Sequence, residues 1–179
     1  GYMSAQDPGS YQIARTLDVK CEEKVLDVCS APGTKAMTLA QFMNNRGTID
    51  CLDIHEHRVQ LIKKDAKRLH VDIIHAYCKD ATKILDLGLY DRVLCDVPCS
   101  GYGVLARKPD IKLRMKSEDM DSLIKIQREI LASAASHVKE NGCLVYSTCT
   151  LNKKENEKQI EYFIKNHPEF ALEKEETLF

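Results

Sequence analysis

Two cysteines stand where a sheet-based enzyme would keep reactive groups. Cys99 lies in Asp96-Val97-Pro98-Cys99-Ser100-Gly101, directly after the apolar run Arg92-Val93-Leu94-Cys95. Cys149 lies in Ser147-Thr148-Cys149-Thr150, after Cys143-Leu144-Val145-Tyr146. Both runs read as strands, and the carboxyl ends of parallel strands in an open α/β sheet form the ligand crevice. Both thiols, with Asp96 three residues from Cys99, should therefore face one pocket. A thiolate can add to an electron-poor ring while an acid assists, which is covalent catalysis. That points to chemistry on a nucleobase.

The elements around them alternate. Val25–Cys29 reads as a first strand, followed by a Gly/Pro loop and a helix from Lys35 to Asn44. Thr48–Asp53 reads as the second strand, and His57–Leu69 as an amphipathic helix with Val59, Ile62, Ala66 and Leu69 at helical spacing. Asp72–His75 gives a weak third strand and Arg92–Asp96 a fourth. Ser117 is placed to cap a long helix reaching Lys139, with Met120, Leu123, Ile124, Ile130, Leu131 and Ala135 on its buried side. Asn141-Gly142 should end that helix before the fifth strand, and Asn152 with Glu155 resembles a capping box for a last helix that Pro168 stops. Strands alternating with helices predict an α/β, doubly wound, mostly parallel sheet.

The chain has 179 residues, 44% of them hydrophobic and 30% charged, as in an ordinary globular domain. No apolar run approaches membrane-spanning length and no signal pattern opens the chain, so no membrane partner is expected. Eight cysteines are many, but Cys51, Cys95 and Cys143 sit inside strand-like runs, which favours a reducing cytoplasm over a disulfide scaffold. Cys21, Cys51, Cys78, Cys95 and Cys143 are read mostly as small buried hydrophobes. Neither the Cys95/Cys99 pair nor His55-Glu56-His57 has the spacing of a metal centre, and no metal is expected. A net charge of −1 argues against nucleic-acid binding over the whole surface. The segment 107–116 differs locally, holding Arg107, Lys108, Lys112, Arg114 and Lys116 against the single acid Asp110. It is either a solvated face or a phosphate contact beside the pocket.

Asp27-Val28-Cys29-Ser30-Ala31-Pro32-Gly33-Thr34-Lys35 fills the first strand-to-helix turn. Gly33 permits close backbone approach, and a helix N-terminus favours an anionic group. The loop is neither a dinucleotide fingerprint nor a P-loop. Asp53 ends the second strand, where an acid commonly binds ribose hydroxyls, and Asp80 could hold an adenine amine. Together they predict an adenosine-type site.

Cys29–Lys35, Asp96–Gly101 and Ser147–Thr150 resemble the motifs of S-adenosylmethionine-dependent RNA 5-methylcytosine methyltransferases. The similarity is greatest to the bacterial ribosomal RNA small subunit methyltransferase B family, which Arg107–Lys112 also matches. The resemblance implies a Rossmann-like class I methyltransferase fold and S-adenosylmethionine as cofactor. Its contacts would be Cys29, Ser30, Ala31, Pro32, Gly33, Thr34, Lys35, Asp53, Asp80 and Asp96. It also implies Cys149 as nucleophile, with Cys99 assisting breakdown of the adduct, although spacing alone leaves the two thiols equivalent. Asp96 is the candidate contact to ring nitrogen 3, a role requiring a raised pKa, while Lys35 or Arg107 is expected to lower the thiol's. Arg107, Lys108, Lys112 and Arg114 are the candidate RNA contacts.

Family members often carry a second glycine where Thr34 stands, and they have an N-terminal helical RNA-binding domain and a final sheet strand. The chain 1–179 is therefore expected to be one catalytic domain without those parts, acting as a monomer on RNA, with small-subunit rRNA the first expectation. The alternatives are a tRNA cytosine-5 methyltransferase and a non-catalytic RNA- or cofactor-binding module.

Overall fold

Strand β1 (Lys24–Asp27) is short, yet its last three residues are all buried. Such a strand belongs at the centre of a sheet covered on both faces. A computed structural model, describing residues 3–83, 86–101 and 117–177, places it there. Around β1 lie β2 (Thr48–Asp53), β3 (Ile74–Cys78), β4 (Tyr90–Asp96) and β5 (Val138–Ser147). They form one five-stranded sheet in the order β3-β2-β1-β4-β5, and every pairing is parallel. The order reverses beside β1, so the crevice opens at the carboxyl ends of β1 and β4.

Alternate strand residues feed two cores. On one face Val25, Ile49, Cys51 and Leu94 pack with α1 (Pro8–Thr16), α2 (Thr34–Phe42) and α3 (Glu56–Leu69) through Ala14, Leu39, Val59 and Ile62. On the other, Leu26, Leu52, Val93 and Cys95 pack with α4 (Ser117–Ala135) and α5 (Glu157–Asn166) through Ile130, Leu131 and Phe163. Among the described residues no helix is long and apolar enough to cross a membrane.

Several expectations need correction. Helix α1 was not foreseen, although Asp7 accepts from the backbone N–H groups of Gly9 and Ser10 and Pro8 takes the first helical position. The third strand lies later than Asp72–His75, at Ile74–Cys78, because this edge strand buries only Ala76 and so carries almost no alternation. Helix α4 stops at Ala135 rather than Lys139, and Asn141-Gly142 falls inside β5. There the register with β4 shifts between Tyr90 and Arg92, and Asn141 takes a φ of 60°. A Cβ on Gly142 would lie 2.8 Å from the Lys139 carbonyl oxygen, so the pair makes a bulge rather than a helix stop. Of the cysteines read as buried hydrophobes, Cys51 and Cys95 are fully buried, Cys21 and Cys143 are half-buried, and Cys78 is exposed at the sheet edge.

Candidate active site

Residues at the carboxyl ends of β1, β2, β4 and β5 converge on the crevice. The loop after β1 is tied to the sheet by Val28 N–H donating to the Leu94 carbonyl at 3.0 Å and Ser30 N–H to that of Leu52 at 2.8 Å. Gly33 then turns at φ 101°, and a Cβ there would come within 3.2 Å of the Ile62 side chain. Gly33 stands at the N-cap of α2 and makes no side-chain cap bond, so no N-cap side chain satisfies the first amides of the helix.

Asp27 ends β1 and was not among the expected ligands. It is buried, and among the described residues no well-formed hydrogen bond reaches either carboxylate oxygen or the buried Ser30 hydroxyl; Ser30 and the Cys29 backbone lie close enough only to offset part of what burial does to the carboxyl. Burial pushes the Asp27 carboxyl up to about 7. Buried polar groups are rarely left unbonded. Two orphaned acceptors beside an uncapped helix N-terminus therefore fit a ligand bearing both donors and an anionic group, as the amino-acid end of S-adenosylmethionine does. Cys29 is largely buried, and its thiol is pushed well above its ordinary value by that burial and by the carboxylate of Asp27.

The remaining acids are already engaged. Asp53 accepts from His55 N–H at 2.9 Å and lies 3.4 Å from Arg58. Asp80 accepts from the backbone and hydroxyl of Thr82 at 3.0 and 2.7 Å, which hold its carboxyl below the usual range. Both stand after successive strands, as expected, but Asp80 closes its own turn.

At the ends of β4 and β5 the two thiols meet. Cys99 Sγ and Cys149 Sγ are 2.9 Å apart, and Cys149 N–H donates to Cys99 Sγ at 3.1 Å. Neither is in a disulfide; Cys99 is half-buried and Cys149 exposed. The Cys149 contact and burial push the Cys99 thiol up, so Cys99 keeps its proton and can donate it toward Cys149. Asp96 is bound by Lys35 Nζ at 2.6 Å and by the Ser147 hydroxyl at 2.6 Å. Lys35 is thus engaged by Asp96. Arg107, Lys108, Lys112 and Arg114 lie outside the described residues. Among those described, no cluster of three or more His, Cys, Asp or Glu side chains is placed to hold a metal.

Beneath the thiols lies a buried network that sequence reasoning missed. Glu155 is fully buried and accepts from Ser100 N–H at 2.8 Å, Ser100 Oγ at 2.5 Å, Gln127 Nε2 at 3.0 Å and Asn152 Nδ2 at 3.1 Å. One signal was available: Gln127 falls on the apolar stripe of α4 beside Ile130, Leu131 and Ala134, and a polar side chain there demands a buried partner.

An all-parallel sheet of this order, with a glycine loop at its switch point, is the Rossmann-like class I methyltransferase fold. The sequence model of the family described as 16S rRNA methyltransferase RsmB/F matches residues 14–178, and the chain belongs to that family. It is 47% identical over 173 residues to the "Probable ribosomal RNA small subunit methyltransferase B" of Bacillus subtilis, covering 95% of this chain and 39% of the relative. It is 33% identical over 189 residues to the mouse tRNA (cytosine(72)-C(5))-methyltransferase NSUN6, covering 98% of this chain and 39% of that protein. The crystal structure of NSun6 from Pyrococcus horikoshii with SFG superposes with a TM-score of 0.85 at 32% identity, covering 93% of this chain and 43% of the other. SFG is an analogue of S-adenosylmethionine, the cofactor of this family. The chain thus spans about two-fifths of the length of these relatives.

Proposed function

We propose that the chain is the catalytic domain of an RNA (cytosine-5)-methyltransferase working in the cytoplasm on small-subunit ribosomal RNA through a covalent adduct. The observation that carries this reading is the pair of thiols 2.9 Å apart beside Asp96, at the strand ends next to the cofactor-type loop. Higher identity to the rRNA relative than to the tRNA relative favours rRNA, with tRNA as the second reading.

Cys29–Lys35, Asp27 and Asp53 would hold S-adenosylmethionine, with Asp80 and Asp96 at the borders of its site. When bound, it supplies an electrophilic methyl carbon. Carbon 5 of cytosine is too weak a nucleophile to take that methyl unaided. Cys149, the exposed thiol, releases its proton to solvent and adds as the thiolate through sulfur to carbon 6, and the ring's electron pair moves toward carbon 5. The Asp96–Lys35 pair contacts the nitrogen 3 edge and supplies the proton that makes addition favourable. Once carbon 5 carries the methyl group it must lose its proton. The double bond then re-forms, and the pair of the breaking C6–S bond returns to Cys149. Cys99, at hydrogen-bond distance, is placed to assist this breakdown by giving its proton to the departing Cys149 sulfur and, as the thiolate so formed, taking the carbon 5 proton. The target base must be unpaired or flipped out, and Arg107, Lys108, Lys112 and Arg114 are proposed to hold the flanking phosphates.

The test uses labelled S-adenosylmethionine and unmodified rRNA. Cys149→Ala is expected to lower methyl transfer by ~10³-fold or more, as removal of a nucleophile does. Cys99→Ala should instead accumulate a protein–RNA complex that survives denaturing electrophoresis. Retained activity in Cys149→Ala would overturn the nucleophile assignment. Loss of activity in Cys99→Ala without a trapped complex would overturn the release role.

A further inference from the structure

Residues 152–156 read as a helix start, yet their side chains do not cap a helix. Asn156 occupies the N-cap of α5 and makes no side-chain cap bond. Its amide is turned instead to the Cys149 loop: Thr148 Oγ1 donates to Asn156 Oδ1 at 2.6 Å, and Asn156 Nδ2 donates to the Thr150 carbonyl at 2.9 Å. The residues flanking Cys149 are thus held by one side chain. Glu155 turns the other way, binding the backbone and hydroxyl of Ser100, next to Cys99. The two loops are joined where Ser100 Oγ meets Thr150 Oγ1 at 2.8 Å. Gln127 anchors the assembly to α4 by donating to both Glu155 and the Pro98 carbonyl at 3.0 Å. Forgoing an N-cap costs about 1 kcal/mol, and burying a carboxylate costs more unless it is fully bonded. Both sacrifices are made at adjacent positions, each for one thiol loop.

We propose that Glu155 is a positioning residue that fixes the separation of the Cys99 and Cys149 thiols, with Asn156 clamping the Cys149 loop beside it. Its role in turnover rests on the methyltransferase reading; its role in thiol geometry does not. Displacing a reacting group by ~1 Å can lower a rate by ~10²-fold even when binding is intact. A glutamine can replace Glu155 while keeping its shape. Its carbonyl oxygen still accepts from Ser100 N–H and Gln127, and its amide donates to Ser100 Oγ, whose proton, given to Glu155 in the wild type, turns to Thr150 Oγ1; only the Asn152 amide loses its acceptor.

The experiment has a readout independent of RNA. Diamide oxidises two thiols at contact distance: both S–H bonds break, an S–S bond forms, and two electrons with two protons reduce the azo bond to a hydrazine. Peptide mass spectrometry then times formation of the Cys99–Cys149 link in the wild type, Glu155→Ala and Glu155→Gln, after circular dichroism has checked folding. Glu155→Ala is expected to slow linkage ~10-fold and lower kcat by ~10-fold or more, with KM for RNA within about threefold, and Glu155→Gln should recover most of both. Wild-type linkage rates in folded Glu155→Ala, or no recovery in Glu155→Gln, would overturn the proposal. If Glu155→Ala does not fold, Ser100→Ala and Asn156→Ala replace it. Each should slow linkage several-fold, and an unchanged rate in both overturns the proposal. If linkage follows these expectations but the wild type never methylates RNA, the methyltransferase reading fails and the positioning role stands.

Discussion

At the carboxyl end of β1, Asp27 and Ser30 are buried with no well-formed side-chain hydrogen bond among the described residues, whereas beneath Cys99 and Cys149 the buried groups Ser100, Gln127, Thr150, Glu155 and Gln159 are bonded to one another. The two cradles lie on neighbouring strands of one sheet and face one crevice. Their polarity differs because their tasks differ. A cradle for a ligand keeps acceptors unfilled and is less stable for it until the ligand arrives. A cradle for two side chains must exclude alternative arrangements, and it does so by bonding its buried polar groups to one another. Substitutions in the two halves should therefore have opposite signs.

The largest stability effect is expected at Asp27. Its carboxyl ionises near 3.8 in an unfolded chain and at about 7 when folded. Between those values the folded chain holds a proton that the unfolded chain has released, so stability falls as pH rises through this window and levels off above it. The loss is of the order of 4 kcal/mol at most, from about 1.4 kcal/mol per pKa unit. Asp27→Asn, which cannot ionise, should match the wild type near pH 4 and exceed it by a few kcal/mol at pH 8 in urea titrations. The same variant should bind S-adenosylmethionine more weakly. A wild type whose midpoint does not change between pH 4 and 8 would show that the cofactor cradle is not an open one.

Gln127 tests the other half. It is fully buried, donates to Pro98 and Glu155, and accepts from Gln159 Nε2 at 3.0 Å. Gln127→Ala leaves those partners short and opens a cavity, so it should lower stability by about 2–3 kcal/mol, with no window between pH 4 and 8. A gain in stability, like that expected for Asp27→Asn, would erase the contrast between the cradles.

What could be read in the chain follows the same division. Thr48–Asp53 was legible from the Arg46-Gly47 turn that precedes it, and in the fold every residue after the first is buried. The thiol pair was legible because both cysteines follow apolar strands, and their proximity needed only a parallel sheet. Asp27 was passed over because nothing local in Val25–Cys29 shows which face of the strand its carboxylate takes, and its burial comes from neighbours distant in sequence. Glu155 was read as half of a capping box because local spacing permits it. Only the tertiary fold brings Ser100 and Gln127 close enough to claim its carboxylate first. The Asn141-Gly142 bulge misled in the same way: the dipeptide ends helices as readily as it kinks strands, and pairing with β4 decides between them.

The smallest effect sharpens the contrast by touching the network at its edge. Tyr146 donates from its hydroxyl to the Glu155 backbone carbonyl at 2.8 Å, leaving the carboxylate to Ser100. The Tyr146 hydroxyl is pushed well above its ordinary value by burial, so it remains a donor across the accessible pH range. Tyr146→Phe keeps the ring packed against α5 and removes one hydrogen bond, which should lower stability by about 1 kcal/mol. Because the side-chain clamp on Ser100 is untouched, diamide linkage of Cys99 to Cys149 should proceed at the wild-type rate. A slowed linkage in this variant would mean that the backbone of residue 155, rather than its carboxylate, sets the distance between the thiols.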